Sequence, residues 1–313
     1  MYGHGLSRQM EEWHKEFNGA AGEPAWDAFL DDFQTLLASK ARELSEEHDN
    51  DGKFGMSKAG GCTRAAGLKL LGAEGSPFSG STRVTFFIGH LAECIGIASL
   101  RALGYEVGGS QQAVTIGEFM HSYSDGIIAD FDGEETILSV KSAAYKKSGQ
   151  ERRGANRIWV RRGFPELPFM GVKASQPGHW VQAQAEMFGA NINQALYLVV
   201  AKDIIKAMEE DPYLGDGDGE GNGSLTFYSE LIKYDDQFCQ NTLLPVWEQQ
   251  WADVQAGRPG APMFYNKAGE FVRLTASSQS WKPNADKTGT YNPCNYCDFV
   301  GACKTDLVSG FRK

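Results

Sequence analysis

The sequence predicts a mixed α/β domain built on one central sheet, with helical additions at both ends. Three observations carry this. Apolar residues recur at helical spacing in the N-terminal stretches. Between residues 105 and 143 the pattern changes to short strand-type runs, the last two joined by Asp132-Gly133. A helical stretch and two more apolar strands then follow. With 313 residues, 42% hydrophobic and 22% charged, the chain has the composition of a soluble globular protein and the length to bury a sizeable core.

Taken in order, Pro24 to His48 carries Trp26, Phe29, Leu30, Phe33, Leu36 and Leu37 at helical spacing, and the HDNDGK that closes it is a turn. A second helix is expected from Ser57 to Gly72, holding Cys62 and capped by the glycine, and a third from Thr82 to Leu103, stopping at Gly104. Val107, Ala113–Ile116, Ser124–Phe131 and Thr136–Ser142 read as strands, with a tight Asp-Gly turn between the last two. After a basic segment come a helix from Gly178 to Ala190, the apolar strand Ala195–Ala201, an acidic glycine-rich loop at 209–223, the strand Leu225–Lys233 and a helix from Asp235 to Gly257. The domain reading is an N-terminal helical extension (1–56), a core (57–260) and a C-terminal cysteine-bearing segment (261–313) completed by Cys62.

The N-terminus has no apolar run of signal-peptide type, and no stretch is expected to approach the roughly 18 apolar residues of a membrane span. A cytoplasmic protein of a bacterium or a phage-infected host is the expectation, with no membrane partner. A net charge of −10 argues mildly against a protein that coats nucleic acid, but not against a local basic groove. From Lys141 to Lys173 nine Lys or Arg stand against two acids. Within that segment Lys146, Lys147, Arg152, Arg153, Arg157, Arg161 and Arg162 are the candidate DNA contacts; the alternative is a solvated loop.

Four of the six cysteines form a split constellation: Cys62 near the start, then Cys294, Cys297 and Cys303 spaced C-x2-C-x5-C near the end. In a reducing compartment such thiolates hold a metal centre rather than disulfides. Zinc sites usually come as two knuckles of two ligands each, whereas one remote cysteine plus a compact trio suits a 4Fe–4S cluster clasping both ends of a domain. Zinc and plain buried thiols are the other readings. Cys94 and Cys239 lie in apolar helical contexts and read as core.

Strand alternation puts Ser139 and Lys141 on one face, and the hairpin brings Asp125 toward them. An aspartate at a strand end offers hard oxygen to Mg²⁺ or Mn²⁺, and a neighbouring lysine orients water and offsets phosphate charge. With these residues the chain resembles the PD-(D/E)XK nuclease superfamily over Ser57 to Cys303. In particular it is similar to the iron–sulfur branch of RecB-like CRISPR-associated exonucleases and AddB-type nuclease domains. The resemblance implies a restriction-endonuclease-like core, a central mixed sheet flanked by helices, with an iron–sulfur clasp. It also implies a DNA exonuclease of recombination, repair or phage DNA processing, acting on single strands or duplex ends. Its site residues fall on His90, Asp125, Lys141 and Gln182, with Gln184 second to Gln182. Gly89-x3-Glu93 also resembles a signature of phage lambda-type exonucleases, which adds Glu93 to His90 and Asp125 as a metal ligand.

Two positions depart from the family pattern. Ser139 stands where the family has Asp or Glu, and the tyrosine of the glutamine motif is absent, with Glu186 or Phe188 nearby. Glu135 has the right parity but lies about 13 Å away at strand rise, and Asp130 points to the opposite face. Compensation by Glu93 is the preferred reading; a degenerate site and an engineered replacement are the others. The alternative functions are accordingly a nuclease-fold DNA-binding or recombination accessory protein and an unrelated zinc protein. No G-x4-G-K-[ST] loop is present, so unwinding would need a helicase or recombinase partner.

Overall fold

The computed structural model describes residues 5–16, 23–43, 52–76, 80–108, 112–143, 145–153, 156–163, 167–201, 227–266, 268–273, 297–299 and 303; over 145–163 it describes backbone alone. Helices α1 (Leu6–Glu16) and α2 (Pro24–Glu43) lead into a short strand β1 (Phe54–Gly55), α3 (Thr63–Leu70) and the long α4 (Gly80–Ala102). Then come β2 (Val107–Gly108), β3 (Ala113–Ile116), β4 (Met120–Tyr123), β5 (Gly126–Phe131) and β6 (Glu134–Ala143). A hairpin, β7 (Tyr145–Arg153) and β8 (Asn156–Gly163), precedes α5 (Leu167–Ser175, kinked at Gly171) and α6 (Pro177–Ala190). Strands β9 (Gln194–Ala201) and β10 (Phe227–Lys233) follow. A helical turn Asp236–Phe238 and a π turn Cys239–Leu243 then lead into α7 (Leu244–Gln255), and β11 (Met263–Tyr265) and β12 (Phe271–Arg273) complete the described elements.

The central sheet has the order β10-β9-β6-β5-β2, with β6 and β9 parallel and the other pairs antiparallel. Parallel strands need a crossover, and here the chain between β6 and β9 supplies α5 and α6. Both faces are covered, which is why β9 is one continuous apolar run rather than an alternating one. On one face Leu138, Val140, Leu196 and Leu198 pack with Ala92, Ile97 and Leu100 of α4 and with Leu6 and Met10 of α1. On the other, Ile137, Tyr197 and Val199 pack with Val181, Ala185 and Met187 of α6 and Trp247 of α7. The expected Asp132-Gly133 turn is present. Both residues have positive φ (55° and 85°), the two-residue geometry whose twist matches the flanking strands.

Several expectations are corrected. The helix expected over Ser57–Gly72 is a 3₁₀ turn (Met56–Lys58) and then α3, with Cys62 at the N-cap rather than inside a helix. Gly60 intervenes because the N-terminus of α6 packs on it: a Cβ there would stand 2.6 Å from the Gly178 Cα. The basic segment, for which a loop was one reading, is the β7–β8 hairpin, and it holds all seven candidate DNA contacts. A second sheet has the order β1-β4-β3. Over Val84–Ala102, α4 is also long and apolar enough to cross a membrane by length and composition, against the sequence reading. In the fold its C-terminal half is a core helix, with Cys94, Ile97, Ala98 and Leu100 buried.

Candidate active site

Asp125 stands just ahead of β5, at the end of the β5–β6 hairpin. The register that pairs Gly126 with Leu138 sets Asp125 across from Ser139. Its Oδ2 accepts the Val140 backbone N–H at 2.7 Å and lies 3.5 Å from the Lys141 Nζ. The two side chains keep 22% and 21% of their surface, enough for a ligand to reach them. Burial raises the Asp125 carboxyl above its usual range, against the pull of Lys141. Burial also disfavours the Lys141 ammonium, but Asp125, Glu186 and Glu93 more than offset it, so its pKa is raised and the charge is held.

Lys141 and Ser139 share the parity of Ile137 and so face α6, the helix that carries the glutamine motif. Gln182 donates from Nε2 to the Glu186 Oε1 at 2.8 Å, as their spacing of four on one helix permits, and the Ser122 hydroxyl of β4 lies 3.1 Å from the same oxygen. Glu186 is buried, and burial raises its carboxyl against the attraction of Lys141. Gln184, the second choice, has a structural task. It donates to the Lys233 carbonyl at 2.9 Å and accepts from the Asp235 N–H at 2.8 Å, tying α6 to the end of β10. His179, one turn before Gln182, shares a 2.6 Å hydrogen bond with the Tyr197 hydroxyl; burial and then the Lys141 charge lower its pKa to about 4.

Glu93 and His90 come from α4, which covers the opposite face of the sheet from Ser139. Glu93 is engaged by Lys40 of α2, Nζ to Oε1 2.6 Å, with both side chains almost wholly buried. The partly exposed His90 places Nδ1 3.6 Å from the other carboxylate oxygen. Burial pushes the Glu93 carboxyl up, but the neighbouring His90 and the Lys40 charge overcome it and hold the pKa low. Glu93 still acts electrostatically on both Asp125 and Lys141.

Asp125, Glu93 and Glu186 are hard-oxygen donors of the kind Mg²⁺ and Mn²⁺ take, and they outnumber the two buried-site ammoniums of Lys40 and Lys141. The donor set suits a divalent cation in kind and charge. Among the described residues, however, no three His, Cys, Asp or Glu side chains close on one point as a metal group.

The tail meets the α3 end of the molecule. The Ser76 N–H donates to the Asp298 carbonyl at 2.9 Å, and the Phe299 ring lies against Gly75. Cys303 is buried; Cys62 and Cys297 are partly exposed. Burial raises the Cys297 thiol, and Cys303 and Lys58 are among the groups that act on it. Cys294 lies outside the described residues. Cys94 and Cys239 are core thiols, as expected. In the hairpin, Lys146 stands opposite Arg162 and Arg152 opposite Arg157 in register.

Glu186, Lys40 and His179 were not singled out as site residues by the sequence reading. Glu186 has a signal, since it lies one turn beyond Gln182. Lys40 has none, because a lysine on an amphipathic helix reads as solvated until the helix is docked.

No family model matches the chain, and no curated protein matches it. Solved structures similar to it include an alkaline exonuclease, LHK-Exo, from Laribacter hongkongensis, with a TM-score of 0.42 at 10% identity over 72% of this chain and 93% of that one. A phage-related exonuclease from Haemophilus somnus 129PT is similar at a TM-score of 0.36 and 13% identity, over 62% of this chain and 78% of that one.

Proposed function

We propose that this chain is a metal-dependent nuclease that hydrolyses DNA phosphodiester bonds as an exonuclease, on single strands or at duplex ends. One observation carries the reading: a charged lysine and an aspartate, still reachable from solvent, sit at a sheet end where buried carboxylates outnumber ammoniums. Asp125 and Glu93, with His90 at the rim, would hold Mg²⁺ or Mn²⁺, which when bound supplies an activated water and charge neutralisation at phosphorus. Lys141 places a fixed positive charge where the pentavalent phosphate gains negative charge. Gln182, held by Glu186, presents its amide beside that charge to orient a phosphate oxygen or the water. The β7–β8 hairpin concentrates seven Lys and Arg on two paired strands, charge that a polyanion would balance.

The test is cleavage of end-labelled single- and double-stranded DNA by anaerobically purified protein with Mg²⁺, Mn²⁺ or EDTA. Metal-dependent loss of label should fall by about 10²–10³ in Lys141→Ala and vanish in Asp125→Ala. Wild-type turnover by Lys141→Ala would remove the site assignment. Ser139 supports a second reading, a scaffold that binds DNA without cutting it; tight binding with no cleavage under Mn²⁺ selects it.

We further infer that Cys62, Cys294, Cys297 and Cys303 hold a 4Fe–4S cluster joining the start of α3 to the tail, with Zn²⁺ the alternative. Support comes from the cysteine spacing and from Cys297, whose thiol is acted on by Lys58, four residues before Cys62, and by Cys303. Visible absorption of the anaerobic protein decides it, since zinc thiolates are colourless.

A further inference from the structure

We propose that Glu186 supplies the carboxylate charge that β6 lacks at Ser139, and so serves as the third acid of the cation site; this rests on the nuclease reading. Ser139 is 3% exposed, lies across from Asp125 in register and faces α6 together with Lys141. A hydroxyl there brings no charge. On the same side of the sheet α6 delivers Glu186, 2% exposed, with Oε1 fixed by Gln182 at 2.8 Å and Ser122 at 3.1 Å.

A buried carboxylate is costly unless a cation accompanies it. The ammoniums of the site are already engaged, Lys40 with Glu93 at 2.6 Å and Lys141 with Asp125 at 3.5 Å. The amide of Gln182 and the hydroxyl of Ser122 orient Glu186 but balance none of its charge. Lys141 is shared between Asp125 and Glu186, so the three carboxylates exceed the two ammoniums by one, and a divalent cation carrying one phosphodiester anion brings the whole to neutrality. Glu93 fills this role less well. It lies across the sheet from Ser139 with its charge committed to Lys40, and it acts on Lys141 less strongly than Glu186 does. Glu186 is a positioning residue in this scheme: it sets the charge of the site and, through Gln182, the amide beside Lys141.

The experiment is Mn²⁺ binding to the full chain, followed by electron paramagnetic resonance, for the wild type, Asp125→Ala, Glu186→Gln, Ser139→Asp and the double variant Ser139→Asp/Glu186→Gln, with DNA cleavage in parallel. Glu186→Gln should weaken Mn²⁺ binding about 10- to 100-fold, and the double variant should return it to the wild-type range. Wild-type Mn²⁺ affinity in a folded Glu186→Gln, while Asp125→Ala has lost it, overturns the proposal and leaves the nuclease reading standing. A wild-type protein that neither binds Mn²⁺ nor cuts DNA defeats the nuclease reading itself. Should Glu186→Gln fail to fold by circular dichroism, Ser139→Asp carries the test: Mn²⁺ binding within a few-fold of wild type supports a charge already supplied by Glu186, and tightening of about 10-fold or more shows the carboxylate still lacking and refutes it.

Discussion

Acidification should destabilise the fold through His179, and the size of the effect follows from where the ring sits. Its Nδ1 is 2.6 Å from the Tyr197 hydroxyl, and burial together with the Lys141 charge keeps the ring neutral down to a pKa of about 4, against 6.5 in an unfolded chain. Between these values the unfolded state binds a proton that the folded state refuses. The contribution of the neutral ring is complete above pH 6.5, is lost as pH falls from 6.5 to about 4, and is level below that. The full span corresponds to about 3 kcal/mol; the ring is partly exposed, and solvent screening trims this to about 1–3 kcal/mol. Asp125 and Glu186 work in the opposite sense, because burial raises their carboxyls and the folded state gains stability as they take up protons. The diagnostic quantity is therefore a difference. Urea denaturation of the wild type and of His179→Gln across this range should show the wild type losing stability relative to the variant as pH falls. A stability gap that stays constant from pH 6.5 to 4 would refute the argument.

Two other perturbations test the surroundings of the site. Lys40→Met strips the buried Glu93 of its cation and should cost about 3–5 kcal/mol. Added Mn²⁺ should then raise the melting temperature of the variant more than that of the wild type, and equal shifts would mean that Glu93 does not face the cation. Cys303→Ser should bleach the visible absorption of the anaerobic protein and expose the tail to limited proteolysis; an unbleached, equally resistant variant would take Cys303 out of the ligand set.

The parts of the fold set by local pattern were readable in the chain. The strands β6 and β9 show as short apolar runs rich in β-branched residues, and the Asp132-Gly133 turn follows from a backbone conformation that few residues tolerate. The break before α3 has a local signal in the Gly60-Gly61 pair; what the sequence could not show is that α6 packs on Gly60 at Gly178, more than a hundred residues away. The hairpin at β7–β8 was hidden by its composition, since a run of Lys and Arg reads as solvated whether or not its backbone pairs.

The site divides along the same line. Sequence by itself put Asp125 and Lys141 on the two strands of one hairpin, but a two-residue turn with unbroken pairing would set Asp125 across from Val140; a bulge between Ile128 and Phe131 moves it to Ser139, on the face of Lys141. It also showed a hydroxyl rather than a carboxylate at position 139. Only the tertiary structure decided that Lys40 occupies Glu93, that α4 and α6 lie on opposite faces of the sheet, and that Glu186 rather than Glu93 shares the side of Ser139. The reason is that pairing within a hairpin is a local property of the chain. The balance of buried charge is settled by which helices dock on which face of the sheet, and those contacts join residues that the sequence keeps far apart.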